Sequence, residues 1–387
     1  MSGLDEERQA RAVLTSICEP GHLKLARLIS EHGPIATVDA LRCSGTESAW
    51  GQRARKADGA TLLVEAKQWG IRFVIPGDEE WPVQLDDLEH GAEVQGLGGI
   101  PVGLWVAGPW SLRAWARSSV AVVGARAATR YGEAVASDLA AHLASGPGEY
   151  SVVSGGAYGI DAAAHRGAMV CDGRTIGVYA GGLDEPYPRG NARLFEELKG
   201  EHVVVSEVAP GIHVTRAAFL ARNRLIAALT VGTVVVEAAA RSGARNTASW
   251  AAALGRVVMA VPGSVHSAMS VGCHRLIRDG QATLVCDADD VKALLAPVGL
   301  GPDLPERGAD RVLDDVDPHL LAIREAMPAR GAVGPPELAE KCGQTVPRVV
   351  AGLVELEILG LVKQDEQGMW RLKRPTAGKQ RSEATIW

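Results

Sequence analysis

VAVVGARAATRYG at 120–132 and SVVSGGAYGID at 151–161 decide the fold of this chain. Val120-Ala121-Val122-Val123 is too short for a helix and suits a strand buried on both faces. Gly124 permits a tight turn, and Tyr131 to Leu143 then places Ala and Leu at helical spacing. The second stretch repeats the arrangement: Val152-Val153 as strand, Ser154-Gly155-Gly156 as turn, and a helix opening at Gly159-Ile160-Asp161 and ending near Met169. Two consecutive strand-turn-helix units imply a parallel sheet with right-handed crossovers. Ligands of such sheets sit beyond the carboxyl ends of the strands, where these turns lie. Helix N-termini and bare glycine amides at that edge attract anions, phosphate above all.

Working outward, the unit repeats. Strands are expected at Thr175–Tyr179, His202–Val205, Thr233–Val236, Val257–Val261 and Thr283–Val285, most feeding an Ala-rich helix. This alternation defines a doubly wound α/β domain over 76–295. Upstream, 1–75 reads as a small helical domain of the helix-hairpin-helix or SAM-like kind, with Gly33-Pro34 between two helices at His22–Ile29 and Thr37–Leu41 and Ile71–Ile75 closing as a strand. A DNA-binding module and a plain helical bundle both fit it, and the bundle is the simpler. Residues 296–317, rich in Pro, Gly and Asp, read as a linker. Three helices and two short strands over 318–374 outline a winged helix, and 375–387 reads as a disordered tail. The third helix of that outline carries Arg348 but also Glu355 and Glu357, which repel phosphate.

The 387 residues carry a net charge of −6, so any polyanion site is a local patch rather than a global field. Six scattered Cys with no CxxC pair argue against a zinc site or a disulfide framework and fit a reducing cytoplasm. The charged start MSGLDEERQARAVL lacks the apolar core of a signal peptide, and no apolar run is long enough to span a bilayer.

Arginines recur at the turns. Arg126 and Arg130 follow the first strand, and Arg189 opens a helix. Arg222 and Arg224 flank Asn223, and Arg241 and Arg245 flank Ser242-Gly243. Forked guanidinium donors suit phosphate, and their recurrence from loop to loop points to one anion site. GxGxxG and GxxxxGK[ST] are both absent, so no dinucleotide or ATP cofactor is expected, and no metal. HExxH and GxSxG are absent too. Asp161 and Glu237 are explained by capping or ion pairing, and His165 by helix packing. No nucleophile, base and orienter come together, so the expectation is binding rather than catalysis.

The segments VAVVGARAATRYG, VVSGGAYGIDAAAHRGAM, GGLDEPYPRGNARLF, SEVAPG, FLARNRLIAALT, VVVEAAARSGARNTASWAAALGR and AVPGSVHSAMSVGCHRLIRDGQA resemble, in order, the DNA-processing protein A family (DprA, or Smf). The resemblance covers Val120 to about Ala282. It implies a Rossmann-like doubly wound core between the helical and winged-helix domains. It also implies a non-enzymatic homodimer that binds and protects incoming single-stranded DNA and loads RecA recombinase during natural transformation. By family pattern, Arg126, Gly155, Gly156, Arg189, Asn191, Arg222, Asn223 and Arg224 bind the DNA, and the reading of the turns adds Arg130, Ser154, Ser242 and Gly243 to the expected set. The arginines would neutralise phosphates, and the glycine amides and Asn191 would bond phosphate oxygens, with little sequence preference.

Three positions depart from the family pattern: Ala125 where Ser is usual, Arg245 in an ordinarily more apolar segment, and His274 where Asn is common. With three Phe and five Tyr in the chain, Tyr158, Tyr187 and Phe219 are the nearest stacking candidates. Two other functions compete. One is a phosphoribohydrolase-like nucleotide enzyme, whose PGGxGTxxE signature is replaced here by VEAAARSGARNTA. The other is a winged-helix regulator of duplex DNA.

Overall fold

The computed structural model describes residues 3–44, 48–89, 93–146, 149–212, 214–296 and 316–373. Most of the stretch expected to be a linker, and the expected tail, lie outside them. Two compact units divide the chain at about residue 304.

The first unit opens with four helices: α1 (Gly3–Ile17), α2 (Leu23–Cys43), α3 (Ala49–Lys56) and α4 (Gly59–Gln68). α2 is kinked at Gly33, whose φ of +78° only glycine adopts readily, with Pro34 next. Strands β1 (Ile71–Val74) and β2 (Leu104–Ala107) follow, then the short helix α5 (Leu112–Ala116). The alternating core is β3 (Ser119–Val123), α6 (Arg130–Leu143), β4 (Ser151–Ser154), α7 (Ile160–Val170), β5 (Thr175–Tyr179), α8 (Ala192–Glu201), β6 (Val203–Ser206), α9 (Arg216–Leu229), β7 (Gly232–Val235), α10 (Ala244–Ala253), β8 (Val257–Ala260), α11 (Val271–Arg278), β9 (Thr283–Leu284) and α12 (Ala288–Leu295).

All nine strands form one sheet in the order β1-β2-β6-β5-β4-β3-β7-β8-β9. β3 to β9 run parallel, while β1 and β2 pair antiparallel at one edge. β1, grouped by the sequence with the helical start, is thus an edge strand of the large sheet. The chain moves from β3 to β4 in one direction and, after β6, returns to β7 on the other side of β3. The crossover direction reverses between β3 and β7, where a doubly wound sheet opens a crevice.

The strand residues show why the sheet needs helices on both faces. Val120 and Val122 pack with Ala136, Leu139 and Leu143 of α6 on one side. Ala121 and Val123 pack with Leu225 and Leu229 of α9 and Trp250 of α10 on the other. Successive side chains of a strand point to opposite faces, so a wholly apolar strand must be covered twice. The helical start is fastened to the antiparallel edge. Arg8 donates to Phe73 O at 2.8 Å and pairs with Asp78, and Trp105 Nε1 donates to Thr15 Oγ1 at 3.1 Å.

The second unit contains α13 (Pro318–Glu325), α14 (Pro335–Cys342), α15 (Val346–Ile358) and the antiparallel pair β10 (Val362–Gln364) and β11 (Trp370–Leu372). Leu320, Ile323, Leu338, Leu353, Leu356 and Trp370 form a core of their own. The order of three helices and then two short strands is the one expected over 318–374.

Candidate nucleic-acid interface

At the switch point, beyond the carboxyl ends of β3 and β7, lies an open cleft of about 820 Å³. The turn after β3 (Gly124-Ala125-Arg126-Ala127) forms one wall. The first two turns of α9 form another, with Arg216, Phe219, Arg222 and Asn223, and the start of α10 (Arg241-Ser242-Gly243-Ala244) forms a third. α9 is capped by the Thr215 hydroxyl, which accepts from Ala218 N at 3.2 Å, so Arg216 stands in its first turn facing the opening. The amino ends of both helices add partial positive charge to these cations.

The rim residues are exposed and the floor is locked. The Arg126 guanidinium lies 4.8 Å from the centroid of the Phe219 ring, and Phe219 packs against Tyr187 at 5.5 Å. Cation and aromatics thus form one surface able to meet a phosphate and a base together. Arg222 is buried. It donates to Gly155 O at 2.7 Å and to Val178 O, joining the carboxyl ends of β4 and β5 from beneath. A Cβ at Gly155 would collide with that guanidinium, and Gly156 holds φ +65° with the Tyr179 ring against it. The glycine pair therefore lets the chain turn tightly over a buried cation. Asp161 lines the same floor. Burial raises its carboxyl pKa, and the Arg222 charge opposes that rise.

Of the expected strand-binding residues, Arg126, Arg222, Asn223, Ser242 and Gly243 line the cleft, and Gly155 lines a small adjoining cavity. Others are occupied elsewhere. The Ser154 hydroxyl is buried and donates to Val122 O at 2.7 Å. Asn191 Nδ2 donates to Gly156 O and Ala157 O at 3.1 Å each, so it pins the glycine turn instead of offering its N–H groups to a ligand. Arg224 is fully buried and doubly paired with Glu207 at 2.6 and 2.7 Å, also donating to Gly99 O. It ties α9 to the connector ahead of β2. The side chains of Arg130 and Arg189 are exposed and bond no described residue, but neither forms the cleft wall.

Arg216 is the cation that motif reading passes over. Its signal is local: Thr215 is a helix cap, and the residue after a cap at this edge faces the crevice. Of the departures from the family pattern, Ala125 donates its N–H to Glu237 O at 2.7 Å, Arg245 turns back to Ala240 O at 2.9 Å, and His274 bonds Gly263.

The acidic and imidazole groups explain themselves structurally. Glu237 is buried and accepts from Thr129 N at 2.9 Å and Thr129 Oγ1 at 2.7 Å, securing the start of α6. His165 is buried with Nδ1 2.7 Å from Thr175 Oγ1, whose hydroxyl donates to Val152 O. Nδ1 therefore carries the proton, and burial pushes the pKa down to about 3. No group of three or more His, Cys, Asp or Glu among the described residues could hold a metal ion.

Comparison with known proteins adds a family. Residues 72–296 match the model of DNA recombination-mediator protein A. A DNA processing protein DprA of Mycobacterium tuberculosis is 43% identical over 386 residues, covering 97% of each chain. The DNA processing protein DprA of Streptococcus pneumoniae is 42% identical over 261 residues, 67% of this chain and 86% of that one. The X-ray structure of the S. pneumoniae protein superposes with a TM-score of 0.60 at 32% identity, covering 74% of this chain and 96% of that one.

Proposed function

Since this chain belongs to the DNA recombination-mediator protein A family, we propose that it is a non-enzymatic single-strand binder that protects incoming DNA and hands it to RecA recombinase during natural transformation or recombination. The cleft supports this reading most directly. Arg126, Arg216 and Arg241 ring an opening that also presents Phe219 and Tyr187, in a chain whose net charge is negative. Phosphates meet the cations and helix ends, and bases meet the aromatic faces, which favours a strand of any sequence. Among the lining residues, no nucleophile is paired with an oriented base. The protein acts as a homodimer in the cytoplasm on this reading.

Fluorescence anisotropy of labelled single-stranded and duplex oligonucleotides across a salt series tests the binding. The wild type prefers the single strand. Arg126→Ala and Arg216→Ala each weaken binding and flatten the dependence of log K on log salt by about 0.7, the share of one phosphate contact. Unchanged slopes in both variants would sink the cleft assignment, and duplex preference would revive the winged-helix regulator. RecA loading is read separately, as strand exchange from DNA coated with single-strand-binding protein, with and without this protein.

A further inference from the structure

A second groove lies at the opposite pole of the sheet. β2 runs antiparallel to β6 and ends at Ala107 beside Val204, so the loop after it emerges at the amino ends of the parallel strands, away from the cleft. There a groove of about 1080 Å³ is walled by Trp110 and Val83 and flanked by Arg113 and Arg117 of the α5 segment.

Trp110 is 51% exposed, unusual for the largest apolar side chain, yet its position is fixed. Its Nε1 donates to Glu201 O at 2.9 Å, and its ring lies on Trp115 at 5.6 Å between centroids, 23° from parallel. Its own carbonyl accepts from Arg72 Nη2 at 2.7 Å, and Arg72 also donates to Gly108 O at 2.7 Å. Glu80 completes the brace by pairing with Arg72 and accepting from Leu112 N at 2.9 Å, fixing the start of α5. Arg113 and Arg117 are exposed and stand four residues apart, about 6 Å along the axis. Arg113 bonds only a backbone carbonyl, that of Glu79, and Arg117 bonds no described side chain.

We infer that this groove is a second contact for single-stranded nucleic acid, with a base stacked on the outer face of Trp110 and phosphates at Arg113 and Arg117. An ordered aromatic platform beside Arg113 and Arg117, which form no ion pair with a described residue and outnumber the exposed carboxylate of Glu79 on the same lining, is the chemistry that holds a strand without reading its sequence. The inference takes single-strand binding at the cleft as given, and extends the strand's path from one pole of the sheet to the other.

The test compares oligonucleotides of two lengths on the full chain. A strand of about 6 nucleotides is too short to reach both poles of a unit about 50 Å across, and one of about 30 reaches both. Trp110→Ala weakens binding of the long strand about tenfold, within the range for one stacked base, and leaves the short one unchanged. Arg117→Glu lowers the salt slope for the long strand alone, and Arg126→Ala weakens both lengths. Ultraviolet cross-linking of the long strand labels 108–117. If the wild type binds no single strand at either length, the proposed function fails. If it binds both lengths and Trp110→Ala and Arg117→Glu, confirmed folded by circular dichroism, bind as the wild type does, the groove is a surface for a protein partner and this inference is overturned.

Discussion

Arg222 and Arg224 stand two positions apart in one helix and serve opposite faces of it. In sequence the run Arg222-Asn223-Arg224 looks like one cationic patch. A helix turns about 100° per residue, so its first and third members point some 200° apart. Arg222 faces the cleft floor, and Arg224 faces Glu207 and Gly99. Arg224→Ala strands the buried Glu207 carboxylate and costs about 3–5 kcal/mol, read as a lowered urea midpoint, while strand affinity of the folded fraction stays as in the wild type. His165 gives a prediction in pH. Its folded pKa of about 3 lies below the 6.5 of an unfolded histidine, so the unfolded chain binds more protons between those values. The stability is present above pH 6.5 and is lost as pH falls toward 3, by several kcal/mol. His165→Gln, which keeps an amide donor for Thr175, flattens that acid limb in urea melts from pH 7 to 4. An unaltered limb would mean that the protonated ring finds a partner. Arg126 and the glycine turn were legible as motifs. The commitments of Asn191 and Ser154 were not, because a motif names a residue without saying which carbonyl it serves.

The strands were the most readable elements. Val120–Val123 and Val234–Val236 are apolar throughout, and only a doubly covered sheet accommodates such runs. Gly33-Pro34 marked the break in α2 because a positive φ followed by a residue without N–H stops a helix. α5 had no such signature: at 5 residues it holds too few turns to show a period. The start of α6 carries a coupled device that periodicity cannot show. Thr129 caps the helix through its side chain, which accepts from Gly132 N at 3.1 Å, and its hydroxyl and N–H both serve Glu237. Gly132 has no side chain because Glu237 fills that space. Thr129→Ala therefore removes a cap and leaves an acceptor short of a donor. The expected loss is about 2 kcal/mol by thermal melting, toward the upper end for a cap alone, and Thr129→Ser restores most of it.

At the scale of the molecule, the two units keep separate cores, since the apolar cluster of Leu320, Leu353 and Trp370 contains no residue of the first unit. A chain ending at residue 304 is accordingly expected to fold and to retain single-strand affinity within about twofold, measured by anisotropy at matched salt. Loss of binding would assign part of the interface to the winged helix. With a charge balance of −6, strand affinity is expected to rest on local arginine patches, and so to fade with salt more steeply than an apolar contact would. The nine-stranded sheet also has two outer margins, and neither invites another chain. On one side, β1 has the carbonyl of Phe73 occupied by Arg8. On the other, β9 offers only two residues, Thr283 and Leu284, both exposed. So short a border gives a passing strand no ladder to extend, and copies of the protein brought close together are kept from zipping their sheets into fibres.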